Sequence, residues 1–312
     1  MPDTRAHHPI FQKFGPDEFV GRFFMYDSFL GTISRRAFTV SSDMQESVSA
    51  CGPDGLPAFN EEYFEWLDLL ESIANRKGHY TFMELGAGYG RWSVRAAFAA
   101  LTNYGLTAVE AEPTHYGWMK LHFQDNTLDP NGFNHSLIHA AVNDVPGEVP
   151  FLVGPGLAMA SIRSALPERK NAGSNFQVVI GGAVLLMSRP AEWYGRIANP
   201  RRGESAVMVP GVTLDELLSL PRIGSPVDLL DMDIQGREFR VLRSGLVSLC
   251  ERVKRIHIAT HGSAIEEEIR GMLLVNGWQP VWDFGCGGLR ETPYGPIEFQ
   301  DGVQSWVNKR FL

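Results

Sequence analysis

The stretch Met83–Trp92, MELGAGYGRW, constrains this chain more than any other. A short apolar run, HYTFMEL, leads into it and closes on an acid. Three glycines follow at alternate positions, Gly86, Gly88 and Gly90, and then RWSVRAAFAALTNYG, alanine-rich and helical in character. A buried strand that turns through glycines into a helix opens a βαβ unit, because glycine takes the tight turn and lets backbone pass close to a ligand. The alternation continues. LTAVEAE reads as a second strand, PTHYGWMKLHFQDN as a helix opened by Pro113, HSLIHAAV as a third strand and NDVPGEVPFLV as a turn and a further strand. Beyond residue 205, VTLDELLSL reads as helix, PVDLLDMDI as strand, EFRVLRSGLVSLC as helix, VKRIHIATH as strand, SAIEEEIRGMLLVNG as a helix stopped by Gly277, and WQPVWDF as strand. YGPIEFQDGVQSWVNKRF adds one or two strands around a turn at Asp301-Gly302. The pattern predicts a doubly wound α/β domain with a mostly parallel sheet and right-handed crossovers.

The domain is expected over 58–312, after an N-terminal extension of residues 1–57. Its first helix, NEEYFEWLDLLESIANRKG, carries the apolar stripe Tyr63, Trp66, Leu67, Leu70 and Ile73, with Asn60 as its expected N-cap and Gly78 as its stop. Residues 154–205 interrupt the alternation and read as an insertion. Its Trp193, Tyr194, Arg196, Arg201 and Arg202 suit a substrate lid, or a solvated loop with one anchoring aromatic. Residues 24–38 suit a cover over the site or a contact with a second subunit, which would make a homodimer.

Charge narrows the partners. The net charge of −8 argues against a dedicated nucleic-acid binder, whose affinity rests on a basic face. The longest uncharged apolar run, Phe176–Met187, is glycine-interrupted and shorter than the ~20 residues that span a bilayer, so no membrane role is expected. Cys51, Cys250 and Cys286 form no CxxC and no zinc pattern. An odd cysteine count with no apolar leader predicts a reducing, cytoplasmic setting.

Sheets of this kind bind ligands at the carboxyl ends of their strands, where the glycine loop falls. Dinucleotide enzymes use GxGxxG there, but position 91, where the third glycine would stand, is Arg91. Glu84 would repel a pyrophosphate and welcome an ammonium. The acid therefore favours S-adenosylmethionine (SAM), which carries an amino group and a sulfonium, over a nicotinamide cofactor. Glu112, closing the second strand, is placed to accept ribose hydroxyls, with Glu110 as the runner-up.

Together, ELGAGYG, VEAEP, HAAVNDVPGEVPF, VPGVTLDELL and DLLDMDIQGREFRVL resemble, in order, the segments of the FkbM family of SAM-dependent methyltransferases. The resemblance covers residues ~79 to 262. Against the family's usual DLIKIDVEGAE, Asp231 stands at the lysine and Gln235 at the first glutamate, while Asp233, Gly236 and Glu238 match. The resemblance implies a class I methyltransferase fold, with seven strands and the last one antiparallel. It also implies O-methylation of a hydroxyl on a small natural-product, sugar or lipid-like acceptor. By position, Gly86, Ala87, Gly88 and Gly90 would border the methionine part of SAM, with Glu84 at its ammonium. Glu112 and Pro113 would flank the ribose. His139, Ala140 and Ala141 would lie at the adenine, followed by Asn143 and Asp144.

Methyl transfer to an alcohol needs a base for the hydroxyl proton. Asp233 closes the fourth strand and His261 the fifth, so the two are expected to meet. His261 is expected as base, with Asp233 orienting it or binding the acceptor; His257 lies deeper and ranks lower. Asp231, Asp233 and His261 offer too few oxygen ligands for a magnesium-like site, and no metal is expected. The competing functions are a nicotinamide-dependent oxidoreductase and a non-catalytic SAM-binding protein.

Overall fold

The alternating runs assemble into one seven-stranded sheet in a computed structural model that describes residues 5–14, 24–27, 29–38, 55–153, 176–180, 183–187, 205–220 and 226–312. The strands are β3 (Tyr80–Leu85), β4 (Tyr104–Glu110), β5 (His135–His139), β11 (Leu229–Met232), β12 (Arg255–Thr260), β13 (Trp278–Phe284) and β16 (Gly302–Asn308), in the order β13-β16-β12-β11-β3-β4-β5. Six of them run in one direction, and only β16, antiparallel to both its neighbours β12 and β13, is reversed. This is the doubly wound, mostly parallel sheet that the alternation predicts. Its order reverses between β3 and β11, and the crevice at their carboxyl ends is where such folds place a ligand.

Both faces of the sheet are covered. On one face lie α1 (Glu62–Ala74), α2 (Arg91–Ala100) and α3 (Pro113–Asp125), packing Tyr63, Leu67, Val94 and Phe123 with Phe82 and Leu106 of the strands. On the other lie α4 (Leu214–Leu218), α5 (Glu238–Ser244), α6 (Leu246–Arg252) and α7 (Ser263–Val275), whose Leu214, Val241, Leu249 and Ile269 meet Met83, Leu85 and Leu230. Phe82 and Met83 point to opposite faces, as the two-residue period of a strand requires.

Several local expectations change. The helix from Glu238 to Arg252 is two helices, because α4 crosses at Gly245, where an added Cβ would lie 2.8 Å from Leu214 Cβ. The strand HSLIHAAV breaks at Ala140. Ala141–Val142 (β6) leaves the main sheet and pairs with β10 (Ser205–Val212), which also pairs with β7 (Gly147–Val153). Helix α1 is preceded by Glu61, which makes no side-chain cap, while Asn60 gives only its carbonyl to Tyr63 N–H. The helix stops at Ala74, and Gly78, at φ +84°, turns the chain into β3 instead.

Of the extension, Phe11 of a short 3-10 helix packs edge-on against Phe29 and beside Tyr63. The hairpin β1 (Phe24–Asp27) and β2 (Thr32–Arg35) is tied down at Ile33, whose N–H and C=O both bond the Asn126 side chain. In the insertion, β8 (Phe176–Ile180) and β9 (Ala183–Met187) pair antiparallel. Trp193, Tyr194, Arg196, Arg201, Arg202 and Cys51 lie outside the described residues. Among the described residues no helix is long and apolar enough to cross a membrane.

The close crossing at Gly245 gives a direct check. Gly245→Ala should destabilise the fold by about 1–3 kcal/mol, the usual cost of overpacking, read as a lower urea midpoint with unchanged slope.

Candidate functional site

The loop after β3 meets the end of β11 at Gly86. Gly86 has φ +84°, and a Cβ on it would lie 1.9 Å from the Asp233 carbonyl oxygen. Gly88, at φ +55°, would carry its Cβ into open space and lines a cavity of about 630 Å³, within the range of small-molecule sites. Gly90 is not on that wall; it packs against Met119 at the start of α2. Ala87 is on the wall.

The wall is acidic. Among the described residues it holds nine carboxylates and one arginine, and that Arg91 is ion-paired with Glu62. Glu84 is buried at the end of β3, where Oε2 accepts from the Ser93 N–H at 2.9 Å and from the Ser93 hydroxyl. Burial and the neighbouring Asp231 push its carboxyl up to about 8. Asp231 is paired in register with Glu84 across the parallel strands and is itself raised, first by burial. Glu65 of α1 completes this end and is raised well above the carboxylate range by burial and by Asp231. Its place in the helix reads simply as a first-turn acid, and no local pattern marks it out.

At the end of β4, Glu110 latches the glycine loop. Its Oε2 accepts from Gly88 N–H at 2.7 Å and its Oε1 from Glu112 N–H at 2.6 Å, and burial raises it to about 7. Glu112 caps α3 through His115 N–H and also faces the cavity. Pro113 is the first residue of α3 and is off the wall. Ala140 and Ala141 are on it, but His139 is not: its ring stacks on Tyr116 at 4.8 Å and pairs with the Ala111 carbonyl. His139 thus stands off the wall on which Ala140 and Ala141 lie. Asn143 turns its amide to the Val145 carbonyl, and Asp144 lies 3.8 Å from Arg237.

The expected pair at the fourth and fifth strands does meet, in a different order. Asp233 is on the wall, and His261 stands behind it, off the wall. His261 Nε2 is 3.4 Å from Asp233 Oδ1 and 3.6 Å from Asp301 Oδ1, while Nδ1 bonds Glu238 Oε1 at 3.0 Å. Burial lowers the imidazole, but Glu238, Asp233 and Asp301 outweigh it and hold it at about 9. Desolvation among its neighbours raises Asp233, although 42% of its side chain stays exposed, and the His261 charge pulls it partly back, leaving it at about 7. Gln235, at φ +57°, donates to Asp233 Oδ1 at 2.9 Å. Asp301, read in the sequence only as a turn residue, is fixed by Glu61, whose Oε2 takes the N–H groups of Gln300 and Asp301. His257 faces the cavity but is bound to the buried Asp68 at 2.7 Å. Among the described residues no three His, Cys, Asp or Glu side chains are grouped to hold a metal ion.

Residues 84–276 match the model of the Methyltransferase FkbM domain. A protein of Jannaschia sp. (strain CCS1), a methyltransferase by name only, is 27% identical over 217 residues, or 69% of this chain and 67% of that one. The solved methyltransferase FkbM of Methylobacillus flagellatus KT is similar at 10% identity and a TM-score of 0.43, covering 74% of this chain. This chain spans 44% of that protein's length. Precorrin-6y C5,15-methyltransferase of Geobacter metallireducens GS-15 is similar at 11% identity and a TM-score of 0.40, over 80% of this chain and 90% of that one.

The acid wall has a signature in stability. Folded, Glu84 keeps its proton to about pH 8; unfolded, it loses it in the ordinary range near ~4.3. Between those values the folded state binds more protons, so stability falls as pH rises. The ligand-free chain should lose urea resistance from about pH 5 to pH 8, and Glu84→Gln should flatten that slope.

Proposed function

This chain belongs to the FkbM methyltransferase family, and we propose that it moves the methyl of SAM onto a hydroxyl of a small acceptor bearing no anionic group. The observation that carries this reading is the wall where, among the described residues, nine carboxylates stand with one arginine that is already paired. Opposite charge held close in a partly desolvated site is favourable, and like charge is costly. An ammonium and a sulfonium suit such a wall. The pyrophosphate of a dinucleotide does not, and the oxidoreductase reading loses its footing there.

The residues present fit the cofactor. Glu84, with Asp231 and Glu65 beside it, offers carboxylates for the ammonium. Gly88 leaves the backbone bare along the cavity. Glu112 and Glu110 stand at the end of β4 for the ribose hydroxyls, and Ala140, Ala141 and Val142 give an apolar surface for the adenine. When bound, SAM supplies an electrophilic methyl on a cationic sulfur.

The chain's own work is to place the acceptor and take its proton. Asp233 is the group on the wall, and near 7 it is partly ionised at neutral pH, a match to general-base work. His261, behind it, keeps its proton and holds positive charge against the Asp233 carboxylate. The roles therefore exchange relative to the sequence reading: Asp233 is the base and His261 its charged support. Phe38, Tyr89 and Phe151 line the same cavity and add apolar surface to it. The acceptor is a neutral or cationic hydroxyl compound of natural-product, sugar or lipid-like kind.

The test is transfer of tritiated methyl from SAM to a panel of neutral and amino-bearing hydroxyl compounds, each beside its phosphorylated form. Label should reach unphosphorylated members, and Asp233→Asn should lower kcat by about 10²–10⁴-fold. Preference for the phosphorylated forms, or undiminished turnover in Asp233→Asn, would contradict the reading.

A further inference from the structure

Glu238 opens α5 within the stretch Gln235-Gly236-Arg237-Glu238, and its side chain is fully buried. A buried carboxylate needs partners. It has the Gly236 N–H, at 2.8 Å from Oε1 and 3.0 Å from Oε2, and the His261 ring at 3.0 Å. It does not reach the cavity wall. At the other end of the ring, Nε2 is buried without a hydrogen bond, although Asp233 and Asp301 stand 3.4 and 3.6 Å away. A ring nitrogen without a bond, facing two wall carboxylates, has been turned there by what holds the opposite nitrogen.

We propose that Glu238 is the positioning residue of this site: its carboxylate accepts from the Nδ1–H of His261 and so aims Nε2 into the gap between Asp233 and Asp301. The inference rests on the assignment of Asp233 as base. Glu238 acts on that base only through His261, so it is a positioning residue and not a catalytic one.

The groups facing the imidazole come from three elements. Glu238 comes from α5, Asp233 from the loop after β11, and Asp301 from the β15–β16 turn, β15 being Gly295–Phe299. Of the three, Glu238 alone is fully buried and hydrogen-bonded to the ring; the other two keep 42% and 45% of their side chains exposed. Charge in the less solvated position acts more strongly. Removing it should let His261 lose its proton at lower pH.

A purely structural role is the alternative, with Glu238 serving only to bond the Gly236 N–H. The two differ in what they do to His261. The measurement is a pH titration of ¹⁵N-histidine-labelled, cofactor-free protein by ¹H–¹⁵N correlation, with His261 assigned against His261→Asn. In the wild type, His261 should stay doubly protonated past pH 8 and then emerge as the Nδ1–H tautomer. Glu238→Gln should lower its midpoint by about one pH unit or more, and Glu238→Asp should recover part of the shift. An ordinary wild-type midpoint, an Nε2–H tautomer, or a midpoint unmoved in Glu238→Gln would each overturn the proposal. Should Glu238→Gln fail to fold, the wild-type midpoint and tautomer decide alone. Neither cofactor nor acceptor enters the measurement, so this inference and the methyl-transfer reading fail separately.

Discussion

The site depends on how closely the loop after β3 passes the end of β11. Asp233 N–H bonds the Leu85 carbonyl at 2.9 Å, and Gly86 and Ala87 N–H groups both bond the Val109 carbonyl, at 3.0 and 2.9 Å. The loop is thus clamped between the fourth and second strands of the parallel run at the point where strand order reverses. Only a residue without a Cβ fits there, since a methyl on Gly86 would overlap the Asp233 carbonyl. That contact puts the Glu84 end of β3, the glycine backbone and Asp233 on one cavity wall.

Electrostatics follows from the same crowding. Parallel strands in register set Glu84 beside Asp231, and helix α1 adds Glu65. Packing carboxylates where water is scarce costs free energy, and part of that cost is met by holding protons. A ligand that brings positive charge would offset the rest. The free chain is therefore poised for a cation before any cation is present. Farther along the same wall the proton balance runs differently: Glu238 and His261 stand behind Asp233, and the imidazole keeps its proton there.

Much of this was legible in the residues. The period of the apolar runs yields the sheet, and MELGAGYGRW yields the loop at its switch point. Asp233 and His261 could be brought together because both close neighbouring parallel strands. The parts that were not legible depend on contacts far apart in sequence. Nothing local in EFRVLRSGLVSLC shows that α4 crosses at Gly245. His139 reads as a strand-end residue, and only Tyr116 on the next helix decides that its ring turns from the cavity. Asp301 looks like half of a turn until Glu61, 240 positions earlier, is seen to hold that turn in place. The order of Asp233 and His261 at the wall depends on the depth of each strand end, which no local run of residues reveals.

The central claim is that the cavity at this switch point is built for a cationic nucleoside and not for a pyrophosphate. It is tested most directly by calorimetric titration of the ligand-stripped chain with S-adenosylhomocysteine and, separately, with NAD. The account predicts saturable binding of the first, none of the second, and loss of binding in a folded Gly88→Arg variant, whose side chain would enter the cavity. Binding of NAD with no response to S-adenosylhomocysteine would contradict it.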